Sequence, residues 1–326
     1  MFKHNCGRFA LMGGAVLLLK GLASAQAPAL PNPYQTVTEN WAKLPADRPW
    51  GAAPAISIDR EGHIWVFERC GANTCAGRNE NPVLEFDASG KLLTSFGAGM
   101  FVFPHGIFVD RDDNVWVADA DGKDGKGHTV VKFSPSGKVL MILGKPGVAG
   151  DAPDTFNRPT GVVVAPNGDI FVCDGHGGDS NARIVKFSRD GKYLSSWGKK
   201  GKGPGEFDTL HGIALDSQGR VFVVDRGNNR IQIFDANGKF LDQWTQFSNP
   251  SGIYIDRNDV VYVADDTSNP KTRPDWPRAI RVGSAKDGSV TALIPDPEAE
   301  DVVADANGNV YAAEVTGKMI KRFAKK

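Results

Sequence analysis

Two four-residue strings, PHGI at 104–107 and LHGI at 210–213, put a histidine directly before a glycine at matching points of the chain. Imidazoles set at equivalent places in a repeating architecture can converge on one metal ion, and a carboxylate can complete such a set. Glu300 supplies that carboxylate. With His105 and His211 it makes a candidate set that suits a catalytic zinc with open positions, and equally non-haem iron or manganese.

What must position these residues is a repeat. Six copies share an apolar strand, an Asp turn and a second strand whose cores read HIWVFE, NVWVAD, DIFVCD, RVFVVD, VVYVAD and NVYAAE. Alternation of period two runs through them, and Gly, Asn and Asp punctuate each strand. Marking each first strand by one apolar residue gives Ile56, Ile107, Val162, Ile213, Ile253 and Val302, at intervals of 51, 55, 51, 40 and 49 residues. Repeats of this length with four short strands each predict an all-β, six-bladed β-propeller. The last copy lacks a fourth strand of its own, and the segment at 34–41 is placed to supply it and close the ring.

The residue two before each marker then lies on a ring around one axis: Pro54, His105, Thr160, His211, Ser251 and Glu300. Each stands ten residues before the matching second-strand residue, so the alignment needs no gap. Blades two, four and six carry the ligating types. Five residues after each second-strand start, blades one and four carry Arg69 and Arg226. Two arginines across a channel bind a carboxylate through paired hydrogen bonds.

Bulk properties agree with an exported globular protein. The chain has 326 residues, 41 % of them hydrophobic, with 38 basic and 38 acidic side chains. Lys3 and Arg8 precede an apolar run at 9–19 and an Ala23-Ser24-Ala25 site, which reads as a signal peptide over 1–25 and a single propeller domain over 26–326. Such a run is too short to span a bilayer as a retained helix. Removing Lys3, Arg8 and Lys20 from the 38 basic residues leaves 35 against 38 acidic ones, which argues against nucleic acid as a partner. Periplasmic or secreted location, a monomer and a small-molecule or peptide-terminal substrate are expected. Cys70 and Cys75 sit in one Gly/Asn/Thr loop, where an oxidising compartment would allow a bridge; Cys173 reads as a buried core residue.

The repeats resemble NHL repeats: Gly212-Ile213-Ala214-Leu215-Asp216, Val221-Phe222-Val223-Val224-Asp225 and Asn228-Asn229-Arg230-Ile231-Gln232 form a near-complete example. The HGI strings, the Arg after the second strand of blade one, and the DG…RIVKFS…GKYLSSWG run of blade three resemble peptidyl-α-hydroxyglycine α-amidating lyase. That family is a six-bladed propeller holding zinc by three channel histidines. The resemblance implies that His105 and His211 are two of them, while the third falls on Glu300. It implies that Arg69 and Arg226 are active-site arginines, and that Asp301 binds a structural calcium. The family's catalytic tyrosine falls on His176, in a longer loop, where an imidazole can serve as general base.

The implied reaction breaks an N–C bond at an α-hydroxyglycine, giving an amide and glyoxylate. Because His176 and Glu300 both depart from the pattern, the expectation is a metal-dependent lyase or hydrolase acting on a small carboxylate-bearing hydroxy or hemiaminal substrate. The alternative is a non-catalytic NHL propeller that presents a face to a partner. A calcium lactonase of the gluconolactonase group fits less well, since its ring is acidic and amidic where this one supplies imidazoles.

Overall fold

A computed structural model describes residues 1–2, 30–269, 271, 276–296 and 298–326 of the chain. The proposed signal peptide lies almost wholly outside the described residues. Six four-stranded antiparallel sheets are arranged in chain order. The ring closes as the repeat predicts. Tyr34–Thr38 pairs with Met319–Lys325 and becomes the outer strand of blade six, so one blade is built from both ends of the chain. Among the described residues the single helical turn is a 3-10 turn at Arg226–Asn228.

Period two along the second strands explains the packing. In blade one, Trp65 and Phe67 face blade two and meet Ile107, Val109, Val115 and Val117; Ile64 and Val66 face blade six and meet Val303, Tyr311 and Ala313. The same division recurs around the ring, so each apolar cluster straddles two neighbouring blades. No blade has a core of its own. Apolar burial therefore favours the closed ring over any separated blade.

In five of the six blades an Asp follows the first strand and caps a tight turn; blade three has Ala165 there. Asp110 accepts the N–H groups of Asp112 and Asn114, both at 2.9 Å, and the Trp116 indole N–H at 2.9 Å. Asp59 and Trp65 repeat this contact at 3.0 Å. A second buried carboxylate ends the second strand and, in blades two, three and four, grips the segment that leads into that blade's own first strand. Asp119 accepts the N–H of Val102 and Phe103, Asp174 that of Asn157, and Asp225 that of Asp208. These segments deliver the ring residues to the channel.

Candidate metal centre in the axial channel

The six ring residues line one axial cavity of about 290 Å³, as the ten-residue offset predicts. Four of them sit where the ladder slips by one residue. The register shifts between Pro104 and Gly106, Pro159 and Gly161, Leu210 and Gly212, and Ala299 and Asp301. His105, Thr160, His211 and Glu300 are thus the extra residues of four bulges. A bulge re-aims the side chain that it leaves unpaired, here toward the axis.

The glycine after each histidine has a specific task. A Cβ on Gly106 would lie 2.4 Å from the Thr160 carbonyl oxygen, and one on Gly212 would lie 3.2 Å from that of Ser251. Those same oxygens receive the histidines: Nδ1 of His105 lies 2.9 Å from the Thr160 oxygen, and Nδ1 of His211 lies 3.1 Å from the Ser251 oxygen. The carbonyl assigns the donated proton to Nδ1, which leaves a lone pair on Nε2 facing the cluster. His-Gly works as a pair: glycine admits the next blade's carbonyl, and histidine is oriented by it.

His176 completes the cluster. Its ring centroid lies 4.7 Å from that of His105 and 5.4 Å from that of His211, while His105 and His211 are 4.6 Å apart. One nitrogen from each of the three falls within 4.8 Å of the others. The loop that carries it turns through Gly175, Gly177 and Gly178, all at positive φ, and the Ser180 hydroxyl accepts the His176 N–H at 2.8 Å. The position expected to act as a base thus stands beside the two ring imidazoles. Glu300 Oε1 lies 3.1 Å from His211 Nε2 and 3.7 Å from Arg226 Nη1.

The electrostatics suit a cation. His105 and His211 are 3 % and 6 % exposed, and burial pushes both imidazoles well below their usual value. Burial, then the charges of His211 and Arg226, pushes His176 down to about 2. Neutral imidazoles are what a metal requires. His105 Nε2 is buried without a hydrogen-bond partner, and His211 Nε2 makes no hydrogen bond although the Glu300 carboxylate stands 3.1 Å away. Two buried nitrogen lone pairs aimed into a cluster of nitrogens are costly unless something binds them, and the donor set fits zinc.

Both arginines lie at this centre. Arg226 Nη2 stands 3.4 Å from His176 Nε2. Arg69 is buried; its guanidinium stacks 3.7 Å from the Phe103 ring centroid and donates to Pro104 O at 3.1 Å and Asn73 Oδ1 at 2.6 Å. Burial lowers it to about 10, with the charge of Glu300 working in the opposite direction. Asn73 belongs to the loop between Cys70 and Cys75, which are disulfide-bonded. Cys173 is free and buried.

Asp266 was not singled out by its residue type, although it shares the repeat position of Arg69 and Arg226. Its Oδ1 accepts the Ser251 hydroxyl at 2.5 Å, and burial followed by the charge of Glu300 pushes it up to about 7. Asp301 turns elsewhere. Its oxygens accept the N–H of Ile56 at 3.1 Å and of Val302 at 2.9 Å, and burial pushes it up to about 7. Those contacts tie blade six to blade one.

Fold and ring together define a six-bladed propeller of NHL repeats. A family described as "6-bladed beta-propeller" matches residues 160–273. The chain belongs to the family of NHL repeat-containing protein 3 of Homo sapiens, to which it is 34 % identical over 289 residues, covering 84 % of this chain and 79 % of the relative. It is also similar to peptidyl-alpha-hydroxyglycine alpha-amidating lyase 1 of Drosophila melanogaster, 33 % identical over 60 % of this chain, and to peptidyl-glycine alpha-amidating monooxygenase of Mus musculus, 37 % identical over 56 %. The chain spans 40 % and 20 % of those two relatives' lengths. Among solved structures, a gluconolactonase from Xanthomonas campestris superposes with a TM-score of 0.61 at 16 % identity, covering 89 % of each chain. Virginiamycin B lyase from Staphylococcus aureus gives 0.58 at 17 % identity, covering 89 % of this chain and 86 % of its own. Likeness at that identity concerns the fold alone.

Proposed function

We propose that this propeller is an exported, metal-dependent lyase whose substrate carries a carboxylate beside a hydroxyl-bearing carbon, as an N-acyl-α-hydroxyglycine does. The observation that carries this reading is the convergence of three imidazoles, those of His105 and His211 buried and that of His176 half-buried, beside two arginines. His105, His176 and His211 would hold the ion. When bound, a zinc ion there supplies a Lewis acid for the substrate hydroxyl.

The remaining work belongs to the chain's own groups. Arg69 and Arg226 hold the substrate carboxylate through charge-assisted hydrogen bonds. The Glu300 carboxylate accepts the hydroxyl proton. The O–H bonding pair becomes the second bond of a carbonyl, and the neighbouring C–N bond breaks with its pair left on nitrogen. Glu300 returns the proton to that nitrogen, so an amide and an α-keto acid (glyoxylate for the simplest substrate) leave. Asp266 backs Glu300 as a protonated neighbour, consistent with its upward shift to about 7. Glu300 thereby takes the base role first considered for His176.

Similarity to α-amidating lyases supports the reaction class. The test is release of glyoxylate from an N-acyl-α-hydroxyglycine by the purified protein. Loss of the channel metal and of turnover in His105→Ala and His211→Ala variants is expected. A protein that carries no metal and releases no glyoxylate would instead be a propeller scaffold.

A further inference from the structure

A second group of ligating side chains lies in blade one, around the turn between its first two strands, Ala55–Ile58 and Ile64–Phe67. Nδ1 of His63 is 2.9 Å from Glu85 Oε1, 3.5 Å from Asp59 Oδ2 and 3.9 Å from Glu61 Oε2. One ligand atom from each of Asp59, His63 and Glu85 falls within 4.8 Å of the others, and all three residues are partly buried. Three carboxylates thus surround one imidazole nitrogen. A proton on that imidazole offsets one of three negative charges; a divalent ion offsets two. The neighbouring cation, Arg60, is turned to blade two, where it pairs with Asp113 at 2.6 Å.

The repeat shows what this place ordinarily holds. Glu85 pairs across the ladder with Trp65; the matching residues are Lys132 opposite Trp116, Lys186 opposite Phe171 and Arg322 opposite Tyr311, with the aliphatic Ile233 and Val282 in blades four and five. Lys132 Nζ lies 3.6 Å from Asp110, and Lys186 Nζ lies 2.9 Å from Asp169. In blade two a lysine therefore neutralises the aspartate that matches Asp59, and in blade three, which has Ala165 there, a lysine neutralises Asp169 at the repeat position of His63. Blade one has the turn aspartate of blade two, adds Glu61 and His63, and puts a carboxylate where blades two, three and six put a cation. Its geometry asks for a cation from outside the chain.

We propose that Asp59, Glu61, His63 and Glu85 form a second divalent-cation site, separate from the channel cluster. One imidazole nitrogen with carboxylate oxygens suits zinc or manganese, whereas calcium prefers an all-oxygen shell. The site stands at the opposite end of the first strand from the ring residues, and its role is to stabilise blade one.

Untagged full-length protein, stripped with chelator and titrated with zinc alone in a calorimeter, tests this. Two equivalents per chain are expected. Glu85→Lys copies blades two and three, so it should lose one equivalent while its metal-free melting temperature stays equal to or above that of the parent. His63→Ala should lose the same equivalent, and His105→Ala the other. Zinc stoichiometry unchanged by both Glu85→Lys and His63→Ala would overturn the proposal. A single equivalent in the parent, abolished by Glu85→Lys and unaffected by His105→Ala, would uphold this site and overturn the channel centre.

Discussion

The imidazole of His105 and the carbonyl of Thr160 meet at 2.9 Å across the seam between blades two and three, and Gly106 is what lets that carbonyl approach. The ligand of one blade is oriented by the ring residue of the next. His211 and Ser251 repeat the arrangement between blades four and five at 3.1 Å. Interblade packing and ligand orientation are therefore one and the same contact.

Gly106→Ala follows directly. The new methyl must displace the Thr160 carbonyl, and with it the Nδ1 acceptor of His105. Overpacking of this kind costs about 1–3 kcal/mol of stability. Loss of an outer-shell partner should also weaken metal binding roughly 10- to 100-fold. Zinc titration of the folded variant reads the second effect apart from the first.

Arg226→Lys keeps the charge and removes the fork. Charged hydrogen bonds of this kind contribute about 1.5–3 kcal/mol, so kcat/KM for a carboxylate-bearing substrate should fall by roughly 10- to 100-fold. The corresponding carboxamide substrate should be handled equally poorly by parent and variant. Steady-state kinetics on the acid and amide pair check this.

Reduction of the Cys70–Cys75 bridge should act through Asn73 on Arg69. Closing so short a loop stabilises by about 2 kcal/mol in the chain-entropy picture. A Cys70→Ser, Cys75→Ser variant should melt lower and lose substrate affinity while its metal content stays unchanged. Elemental analysis beside KM separates the two readouts.

Acid should destabilise the metal-free protein through His176. Its folded value, about 2, lies below the unfolded imidazole value near 6.5. The unfolded chain therefore binds the proton first. Stability is intact above pH ~6.5 and is lost progressively as pH falls toward the folded value. At pH ~5 the loss from this residue alone reaches about 2 kcal/mol at 1.36 kcal/mol per unit. Asp266 and Asp301, raised to about 7, act in the opposite sense: their contribution is present below the unfolded carboxyl value and is lost as pH rises through 7. A metal-free His176→Gln variant should accordingly lose less melting temperature than the parent between pH 7 and 5.

The ring was legible in the sequence because blades repeat. A constant offset of ten residues aligned His105, His211 and Glu300 without knowledge of the fold, and Tyr34–Thr38 was found as the closing strand because blade six lacked one. His176 as a member of the imidazole cluster was not legible. Its loop has no counterpart in the other blades, so no periodicity says where its side chain points. Asp266 could have been found, since it occupies the same repeat position as Arg69 and Arg226, but its meaning comes from Glu300 and Ser251, which only folding brings together. Bulges were invisible for a related reason: a one-residue slip in the ladder leaves the hydrophobic alternation on either side intact.

The central claim is that His105, His176 and His211 hold one ion. Metal analysis in the Glu85→Lys background, where the blade-one site is removed, tests it most directly. About one zinc per chain is expected in that parent, with most of it lost on adding His176→Ala. Full metal content after His176→Ala, or no bound metal in the Glu85→Lys parent, would contradict it.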